Sequence, residues 1–438
     1  MLTNIPKQHI TTKSIFKDIL RLWKEFLPLS ITDMAMAIGD PVRNYVIASL
    51  PKPQLTMASF GVSKSLANFF EAPVIMILHA SNALAYNKKS SKVFLRFSLC
   101  FSFVFSILFL FFAIPWVFEF VSENIFKLSP EISQMTQMFN LALFLFPFVI
   151  GWRRFFQGLL INQKKNMIVA HASLVRLFFV VTLPLLGMKL GQSGFVCAVA
   201  SIMGGLIAES LYVTYHAAKR ELLSNLGSHE KLPDTFLGIL KYYLPLANTM
   251  IVIWGVRALL VFLLSYSVEP VKSLTIWPIV WGFVLVLSNG TRMVQQVYIS
   301  QVESSKESMN YFIFSVGVVF SILLVMILYH PVGREVIRFS IANLSQLEAE
   351  IYSSLSYFIL FPFLTTWQNA FQGVLIKEHK TKSISKAAFY SHLLIIVLAI
   401  SFIFQEINGV KAIALSLNIG LIFELFLLRV YDKNFTQV

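Results

Sequence analysis

Charged residues are scarce in this sequence. Only 13% of its 438 residues are Asp, Glu, Lys or Arg, whereas soluble globular proteins carry about 25%. Apolar residue types make up 56%, and they fall in long runs instead of alternating with polar residues. A helix of roughly 20 apolar residues crosses a bilayer. The composition therefore excludes a soluble enzyme, a disordered protein and a fibrous one, and it predicts a helical protein that crosses the membrane many times.

Cysteine and metal-ligating patterns are nearly absent as well. The two cysteines, Cys100 and Cys197, both lie in apolar runs, so the sequence predicts neither a disulfide framework nor a metal cluster. It contains no nucleotide-binding loop, catalytic triad or zinc signature, and its membrane-embedded histidines are isolated. We therefore expect a protein that is not an enzyme and needs no cofactor or metal, apart from a coupling H⁺ or Na⁺.

The net charge of +14 reflects topology rather than nucleic-acid binding. The termini, the loops after even-numbered predicted spans and the adjoining span ends carry 22 of the 36 Lys and Arg residues, and the loops after odd-numbered spans with their adjoining span ends carry seven. Because positive charge accumulates in cytoplasmic loops, both termini are predicted to lie in the cytoplasm and the protein in the cell membrane. The twelve predicted spans are 26–50, 57–84, 94–121, 134–161, 167–188, 192–215, 236–266, 271–301, 309–329, 350–376, 384–404 and 409–430.

An internal repeat divides the chain. Residues 146–161 read FPFVIGWRRFFQGLLI and residues 361–376 read FPFLTTWQNAFQGVLI, with nine of sixteen positions identical at an offset of 215. Glu209 and Glu424 share this offset, and Leu-Pro-Leu at 27–29 recurs at 244–246. Composition bias does not place Pro, Trp, Gln and Gly in one frame. The chain is therefore predicted to consist of two homologous halves with six spans each.

The predicted architecture is an all-α polytopic membrane protein with two six-helix lobes arranged as a V. Six spans per half put both halves in the same orientation, related by an axis along the membrane normal, so the cleft between them can open to either side. We expect a cytoplasmic N-terminal arm at 1–25, an N-lobe at 26–215, a cytoplasmic linker at 216–235, a C-lobe at 236–430 and a cytoplasmic tail at 431–438. This is transporter architecture, although a fold alone does not establish function.

Intramembrane charges are the candidate functional residues, since a charge in the bilayer normally faces a cavity or a partner. Helical spacing puts several of them on shared faces in the first two spans of each half. Residues predicted to bind substrate are Arg257, Arg292, Lys64, Asn68, Asn289, Gln296, Arg43 and Asn44, and those predicted to couple an ion or gate the cleft are Asp33, Asp40 and Glu71.

Structural roles compete with these assignments. Asp40 with Arg43, or Lys64 with Glu71, could form internal salt bridges. Arg153 and Arg154 are expected to extend to lipid headgroups, and Glu209 and Glu424 to pair with basic residues of loops. Hinge or packing roles are predicted for Pro28, Pro147, Gly158, Pro245, Pro362 and Gly373.

The segment 28–40, PLSITDMAMAIGD, and the segments ASFG at 58–61 and SLANFFEAP at 65–73 resemble the progressive ankylosis protein family. Leu244–Ala247, Arg257, Arg292 and Tyr298 extend the resemblance into the second half. It implies the fold of the multidrug, oligosaccharidyl-lipid and polysaccharide exporter superfamily, which includes the multidrug and toxin extruders (MATE), and export of small polyanions such as pyrophosphate, ATP or citrate. Asp40 and Asn44 match the family pattern, whereas Tyr45 stands where the family has an arginine. The absence of a long acidic tail suggests a bacterial homologue.

Together these features predict a monomeric secondary-active exporter of a small anion that works in the lipid bilayer and does not bind nucleic acid. Arg257 and Arg292, with Lys64 on the opposite lobe, would neutralise the substrate. The alternatives are a MATE-type antiporter of organic cations with Asp40 as its ion-coupling residue, a flippase for lipid-linked precursors and, more distantly, a scaffold that transports nothing.

Overall fold

The computed structural model describes residues 12–84, 88–219, 235–300, 306–378 and 380–431. Within these ranges the regular structure is helical, without any strand, which agrees with the predicted all-α class. The helices of the first half are α1 (Thr12–Ala37), α2 (Gly39–Ser49), α3 (Pro53–Ile75), α4 (Ile77–Leu84), α5 (Lys88–Phe111), α6 (Pro115–Asn124), α7 (Pro130–Leu143), α8 (Phe146–Asn162), α9 (Asn166–Lys189), α10 (Gly194–Val199) and α11 (Gly205–Lys219). Those of the second half are α12 (Phe236–Leu263), α13 (Pro270–Ser300), α14 (Lys306–Tyr329), α15 (Pro331–Ile341), α16 (Glu348–Ser356), α17 (Phe361–Lys377), α18 (Thr381–Phe404) and α19 (Gly409–Tyr431).

These helices form twelve crossing units in the order that the repeat predicts. Six lie in the first half (α1–α2, α3–α4, α5, α7–α8, α9 and α10–α11) and six in the second (α12, α13, α14, α16–α17, α18 and α19). Among the described residues, nine units are long and apolar enough to cross a membrane by length and composition. The other three are α1–α2, α12 and α16–α17. Below, the side of the molecule that holds Thr12 and Tyr431 is called the termini side, and the opposite one the far side.

Several predicted boundaries are wrong. The third span, predicted at 94–121, ends at Phe111, and a separate helix begins at Pro115, because proline favours the first turn of a helix and cannot continue one. The predicted arm 1–25 is helical from Thr12 onward, and α11 extends to Lys219 within the predicted linker. Residues 1–11, most of the linker (220–234) and the end of the tail (432–438) lie outside the described residues.

The fourth crossing unit of each half is interrupted immediately before its repeated proline. The break at 144–145 precedes Pro147, and the break at 357–360 precedes Pro362. Neighbouring helices satisfy backbone groups at each break, as membrane burial requires. The Phe148 N–H donates to Ser106 Oγ at 3.0 Å, and Asn418 Nδ2 donates to the Tyr357 carbonyl at 2.8 Å.

The predicted hinge prolines of the first crossing unit of each half lie within helices. Pro28 lies inside α1, which continues to Ala37, and Ile38 separates α1 from α2 with helical backbone angles, φ −60° and ψ −25°. Gly39 packs against α9, where an added Cβ atom would lie 2.5 Å from Val180 Cγ1, so α2 and α9 approach closely there. Pro245, the corresponding predicted hinge, lies within α12, but its side chain is outside the described set.

The first crossing unit of each half packs against the other half. Helix α1 contacts α13 and α14, and α12 contacts α3 and α5. Trp23 Nε1 donates to Ser315 Oγ at 3.0 Å, and the Tyr243 hydroxyl donates to the Pro73 carbonyl. These contacts place the polar residues of α1 and α12 along the boundary between the halves.

Elsewhere the two halves meet on the far side. Asn44 Nδ2 donates to the Pro278 carbonyl at 2.9 Å, and Tyr45 stacks on Phe339 with 4.1 Å between ring centroids. Phe126 stacks on Phe262 at 3.8 Å. The far ends of the lobes are thus packed together in this structure.

Candidate functional site

Asp40 is the centre of a three-residue ion cluster in the first half. Its carboxylate accepts from Arg43 Nη2 at 2.6 Å and from Lys64 Nζ at 2.9 Å. Helix α2 supplies Asp40 and Arg43 one turn apart, and α3 supplies Lys64. The predicted alternative of an Asp40–Arg43 salt bridge is therefore present, whereas Lys64 pairs with Asp40 and not with Glu71.

Arg43 and Asn44, both predicted to bind substrate, are buried in this structure. Arg43 is 3% exposed and lies over the Phe60 ring at 4.8 Å, and Asn44 is 2% exposed and bonded to Pro278 across the lobes. Neither side chain presents surface to the cleft. Lys64 is more accessible, since 27% of its side chain is exposed.

Arg257 projects from α12 toward the interior of the molecule. The exposed apolar residues Val252 and Leu259 lie roughly opposite it on the helix, which makes their face the lipid-facing one. The guanidinium lies 5.0 Å from the Trp254 ring and interacts electrostatically with Arg292 and His392. Its exposed surface therefore belongs to the cleft between the lobes.

Arg292 and Gln296 form an exposed stripe one turn apart on α13, and Asn289 continues the stripe half-buried. Within the described residues, neither Arg292 nor Arg257 has an acidic partner within salt-bridge distance. The two guanidinium groups instead interact electrostatically with each other. Two unpaired guanidinium groups in mutual repulsion constitute a site that favours an anion.

Asp33 faces this pair across the boundary between the halves. It lies on α1, which packs against α13, and it interacts electrostatically with Arg292. Its Oδ2 atom is buried and has no hydrogen-bond partner in the structure. Asp33 and Arg292 lie far apart in the sequence, and the packing of α1 against α13 brings them together.

A second set of cations surrounds Glu71 on α3. Glu71 is half-buried, and electrostatic interactions connect it to Lys64, Arg153, Arg154 and Arg176. No cation of the described residues lies within 4.0 Å of its carboxylate. Asn68, also predicted to bind substrate, lies half-buried one turn before Glu71. The first half thus concentrates more basic than acidic groups along this part of α3.

Arg153 is the residue whose predicted role is most clearly wrong. It does not extend to lipid headgroups: it is 3% exposed and forms an ion pair with Glu209, which is 1% exposed. Gln157 Nε2 also donates to Glu209 at 2.8 Å, and Arg176 lies 3.8 Å away. Glu209 was expected to pair with a loop cation, but its partners come from α8 and α9.

The glutamine of the repeated Phe-Gln-Gly sequence is a feature from which this cluster could have been predicted. Gln157 bonds to Glu209, and its equivalent Gln372 donates to Glu424 at 3.4 Å. Both residues of each pair recur at the same offset of 215. The repeated glycine Gly373 packs closely too, since a Cβ atom there would lie 3.3 Å from the Gln295 carbonyl oxygen.

Among the described residues, no group of three or more His, Cys, Asp or Glu side chains could hold a metal ion.

Comparisons with known proteins agree with this architecture. Residues 10–218 match the family model described as progressive ankylosis protein (ANKH), which confirms the resemblance over the first half of the chain. A eukaryotic MATE transporter, AtDTX14, has 13% identity and a TM-score of 0.64, and the match covers 95% of this chain and 96% of that one. The lipid II flippase MurJ in an inward closed conformation has 17% identity and a TM-score of 0.69, and the match covers 93% of this chain and 88% of that one. A MOP superfamily transporter from Pyrococcus furiosus has 14% identity and a TM-score of 0.57, and the match covers 95% of this chain and 95% of that one.

At these identities the likeness shows a shared fold, and it confirms the predicted two-lobe arrangement of a multi-pass membrane protein. A search of curated protein sequences gives no match.

Proposed function

We propose that this chain, a multi-pass membrane protein whose residues 10–218 match the progressive ankylosis protein family, is a secondary-active transporter that exports small organic or phosphorylated anions. Transport proceeds by alternating access between the two lobes. The cell membrane is its location, with both termini in the cytoplasm, as the distribution of loop charge favours.

The observation that carries the proposal is the Arg257–Arg292 pair. Both guanidinium groups have exposed surface in the cleft, interact with each other and lack an acidic partner within 4.0 Å among the described residues. Arginine stays charged in proteins, and its planar donor fork matches carboxylate and phosphate oxygens. A substrate with several negative charges, of the pyrophosphate, ATP or citrate class, compensates both groups at once.

The far-side contacts supply the conformational part of the proposal. Asn44–Pro278, Tyr45–Phe339 and Phe126–Phe262 hold the lobes together on the far side. Loading therefore occurs from the termini side, and release requires these contacts to separate. Asp33, which faces Arg292, is the acid best placed to respond to substrate, so it is our candidate for the ion-coupling or gating residue.

A lipid-linked precursor flippase is the second candidate. The likeness to the lipid II flippase MurJ, with a TM-score of 0.69 over 93% of this chain, favours it, and a cationic cleft also suits a pyrophosphate-linked lipid. A MATE-type antiporter of organic cations fits the fold equally well but not the two unpaired guanidinium groups.

Uptake of labelled pyrophosphate, ATP and citrate into proteoliposomes tests the proposal. Arg257→Ala and Arg292→Ala each remove a charge-assisted hydrogen bond, which contributes about 1.5–3 kcal/mol. The substrate concentration that gives half-maximal uptake should therefore rise roughly ten- to a hundredfold. Arg→Lys variants should recover only part of this loss. Arg429→Ala, which removes an exposed cation near the end of α19, is the matched control. Well-folded arginine variants that transport the anion normally would contradict the assignment.

A further inference from the structure

The two halves of the protein carry equivalent buried carboxyl groups in different chemical surroundings. The repeat offset of 215 relates Glu209 to Glu424 and Gln157 to Gln372, and it extends to Arg153 with Gln368 and Arg176 with Ser391. Both cations that approach Glu209 are therefore replaced by neutral polar residues around Glu424.

The packing around the two carboxyls is the same, so the comparison concerns equivalent sites. Gly205 and Gly420 stand one turn before the respective glutamates. A Cβ atom on Gly205 would lie 2.5 Å from Val180 Cγ2, and one on Gly420 would lie 2.1 Å from Ile395 Cγ1. Val180 and Ile395 are themselves related by the offset of 215. Each glutamate thus lies where two helices of its half approach closely.

The partners of Glu424 are neutral. Glu424 is 2% exposed, Gln372 Nε2 donates to its Oε1 atom at 3.4 Å, and the neutral side chains of Gln368 and Ser391 lie nearby. No lysine, arginine or histidine of the described residues lies within 4.0 Å of its carboxyl. An ionised carboxylate left without a cation in such a place is costly.

The hydroxyl of Ser391 is engaged with another group. Its side chain is fully buried, and its hydroxyl donates to the Gly420 carbonyl at 2.8 Å. A hydroxyl has one hydrogen, so Ser391 has none left to stabilise a negative charge on Glu424. The neutral, protonated form of Glu424 is therefore the one that this buried site without a cation favours.

Other ionisable groups of the helices around Glu424 are engaged or directed elsewhere. On the termini side, Lys377 lies over the Tyr298 ring at 5.9 Å, and Lys386, Tyr390 and Arg429 are exposed. His392 Nδ1 contacts the Ala388 carbonyl at 2.6 Å, and Arg292 belongs to the cleft. On the far side, Glu348 forms an ion pair with Arg338, and Glu350 with Lys272. The hydroxyls of Tyr352 and Tyr266 donate to the carbonyls of Arg334 and Ile125. Lys411 lies over the Tyr357 ring.

We propose that Glu424 is a proton-binding site of the second half: a buried carboxylic acid that accepts from Gln372 and has no cation beside it, whereas Glu209 is a carboxylate paired with Arg153. The second half can therefore bind and release one proton at this position, and the first half cannot. This goes beyond the proposed substrate specificity and does not depend on which substrate is carried.

Carbodiimide labelling of the purified full-length protein tests the proposal directly. Dicyclohexylcarbodiimide is apolar and reacts with a protonated carboxyl: the acid proton moves to a carbodiimide nitrogen and the carboxylate oxygen bonds to the central carbon. Peptide mapping by mass spectrometry should find the adduct on Glu424 and none on Glu209. An unlabelled Glu424, or equal labelling of the two residues, would overturn the proposal.

Infrared difference spectroscopy of two matched variants gives a second readout. Glu424→Gln should remove the C=O stretching band of a protonated carboxylic acid, whereas Glu209→Gln should remove carboxylate bands. Thermal unfolding should separate them too: Glu424→Gln replaces one neutral group by another and should leave the melting temperature near that of the wild type. Glu209→Gln leaves Arg153 without a counter-charge and should lower it. Loss of carboxylate bands in Glu424→Gln would contradict the proposal. Both tests work without transport, so they stand apart from the proposed function.

Discussion

Asp40 and Asp33 show how neighbouring carboxylates on one crossing unit acquire different roles. Asp40 accepts from two cations, one of them buried, whereas Asp33 interacts with Arg292 at longer range and has an oxygen without a partner. From the sequence both were candidates for ion coupling. The structure makes Asp40 the centre of an ion cluster and leaves Asp33 without a salt-bridge partner among the described residues.

We expect Asp40→Asn to destabilise the protein, because it leaves Arg43 buried without its carboxylate. A buried charged group that loses its partner costs about 1–3 kcal/mol or more. Asp33→Asn should leave stability close to that of the wild type but weaken the dependence of transport on the ion gradient. Thermal unfolding in detergent and gradient-driven uptake measure the two effects. A stable but uncoupled Asp40→Asn variant would restore Asp40 as the coupling residue.

The residue-level predictions from the sequence succeed where spacing along one helix decides the outcome. The Asp40–Arg43 pair and the Arg292–Gln296 stripe follow from helical periodicity. The Arg153–Glu209 pair and the approach of Asp33 to Arg292 join residues of different helices, so the periodicity of one helix gives no information about them. Gln157 and Gln372 were visible in the repeat, but their bonds to Glu209 and Glu424 depend on the packing of helices within each half.

At the scale of elements, α2 contacts the second half on the far side, and the proposed function requires these contacts to separate during release. Asn44 donates a hydrogen bond across this contact, and Gly61 allows close packing, since a Cβ atom there would lie 2.9 Å from Pro278 Cγ. The sequence predicted the crossing units and their order, but the end of the third span moved to Phe111, because Pro115 begins a separate helix.

We expect Asn44→Asp to weaken far-side closure, because a carboxylate cannot donate to the Pro278 carbonyl and repels it instead. A cysteine introduced at Asn343, whose amide donates to the Ser49 carbonyl at 3.1 Å, would report opening by its rate of maleimide labelling. Cys100 and Cys197 would first be replaced by serine. Labelling should be faster in the Asn44→Asp background, with Asn418→Asp, on a different interface, as the matched control. Equal rates in the Asn44→Asp and unmodified backgrounds would remove Asn44 from the gate.

At the scale of the whole molecule, the two homologous halves are joined by exchange of their first crossing units, with α1 against α13 and α12 against α3. This arrangement brings Asp33, Arg257 and Arg292 to one cleft, although they come from both halves of the chain. The two-lobe fold followed from the repeat, whereas the exchange did not, because a sequence repeat contains no information on how its copies pack.

Topology follows from the distribution of loop charge and can be measured independently of transport. Reporter fusions after Lys89, Lys165, Arg220 and Lys382 should report a cytoplasmic location, and fusions near Lys127 and Leu344 an external one. Lys127 and Leu344 lie in far-side segments of the first and second half. A cytoplasmic signal near Leu344 would be incompatible with twelve crossings and with parallel orientation of the halves.

The central claim is that the cleft binds an anion through Arg257 and Arg292. Thermal unfolding of purified protein with pyrophosphate, ATP, citrate and organic cations tests it most directly, since a ligand that binds only the native state at a hundred times its Kd stabilises it by about 2.7 kcal/mol. We predict stabilisation by at least one of the anions in the wild type, a much smaller effect in Arg257→Ala and Arg292→Ala, and none from the cations. Stabilisation by an organic cation alone, unchanged in both variants, would contradict the claim.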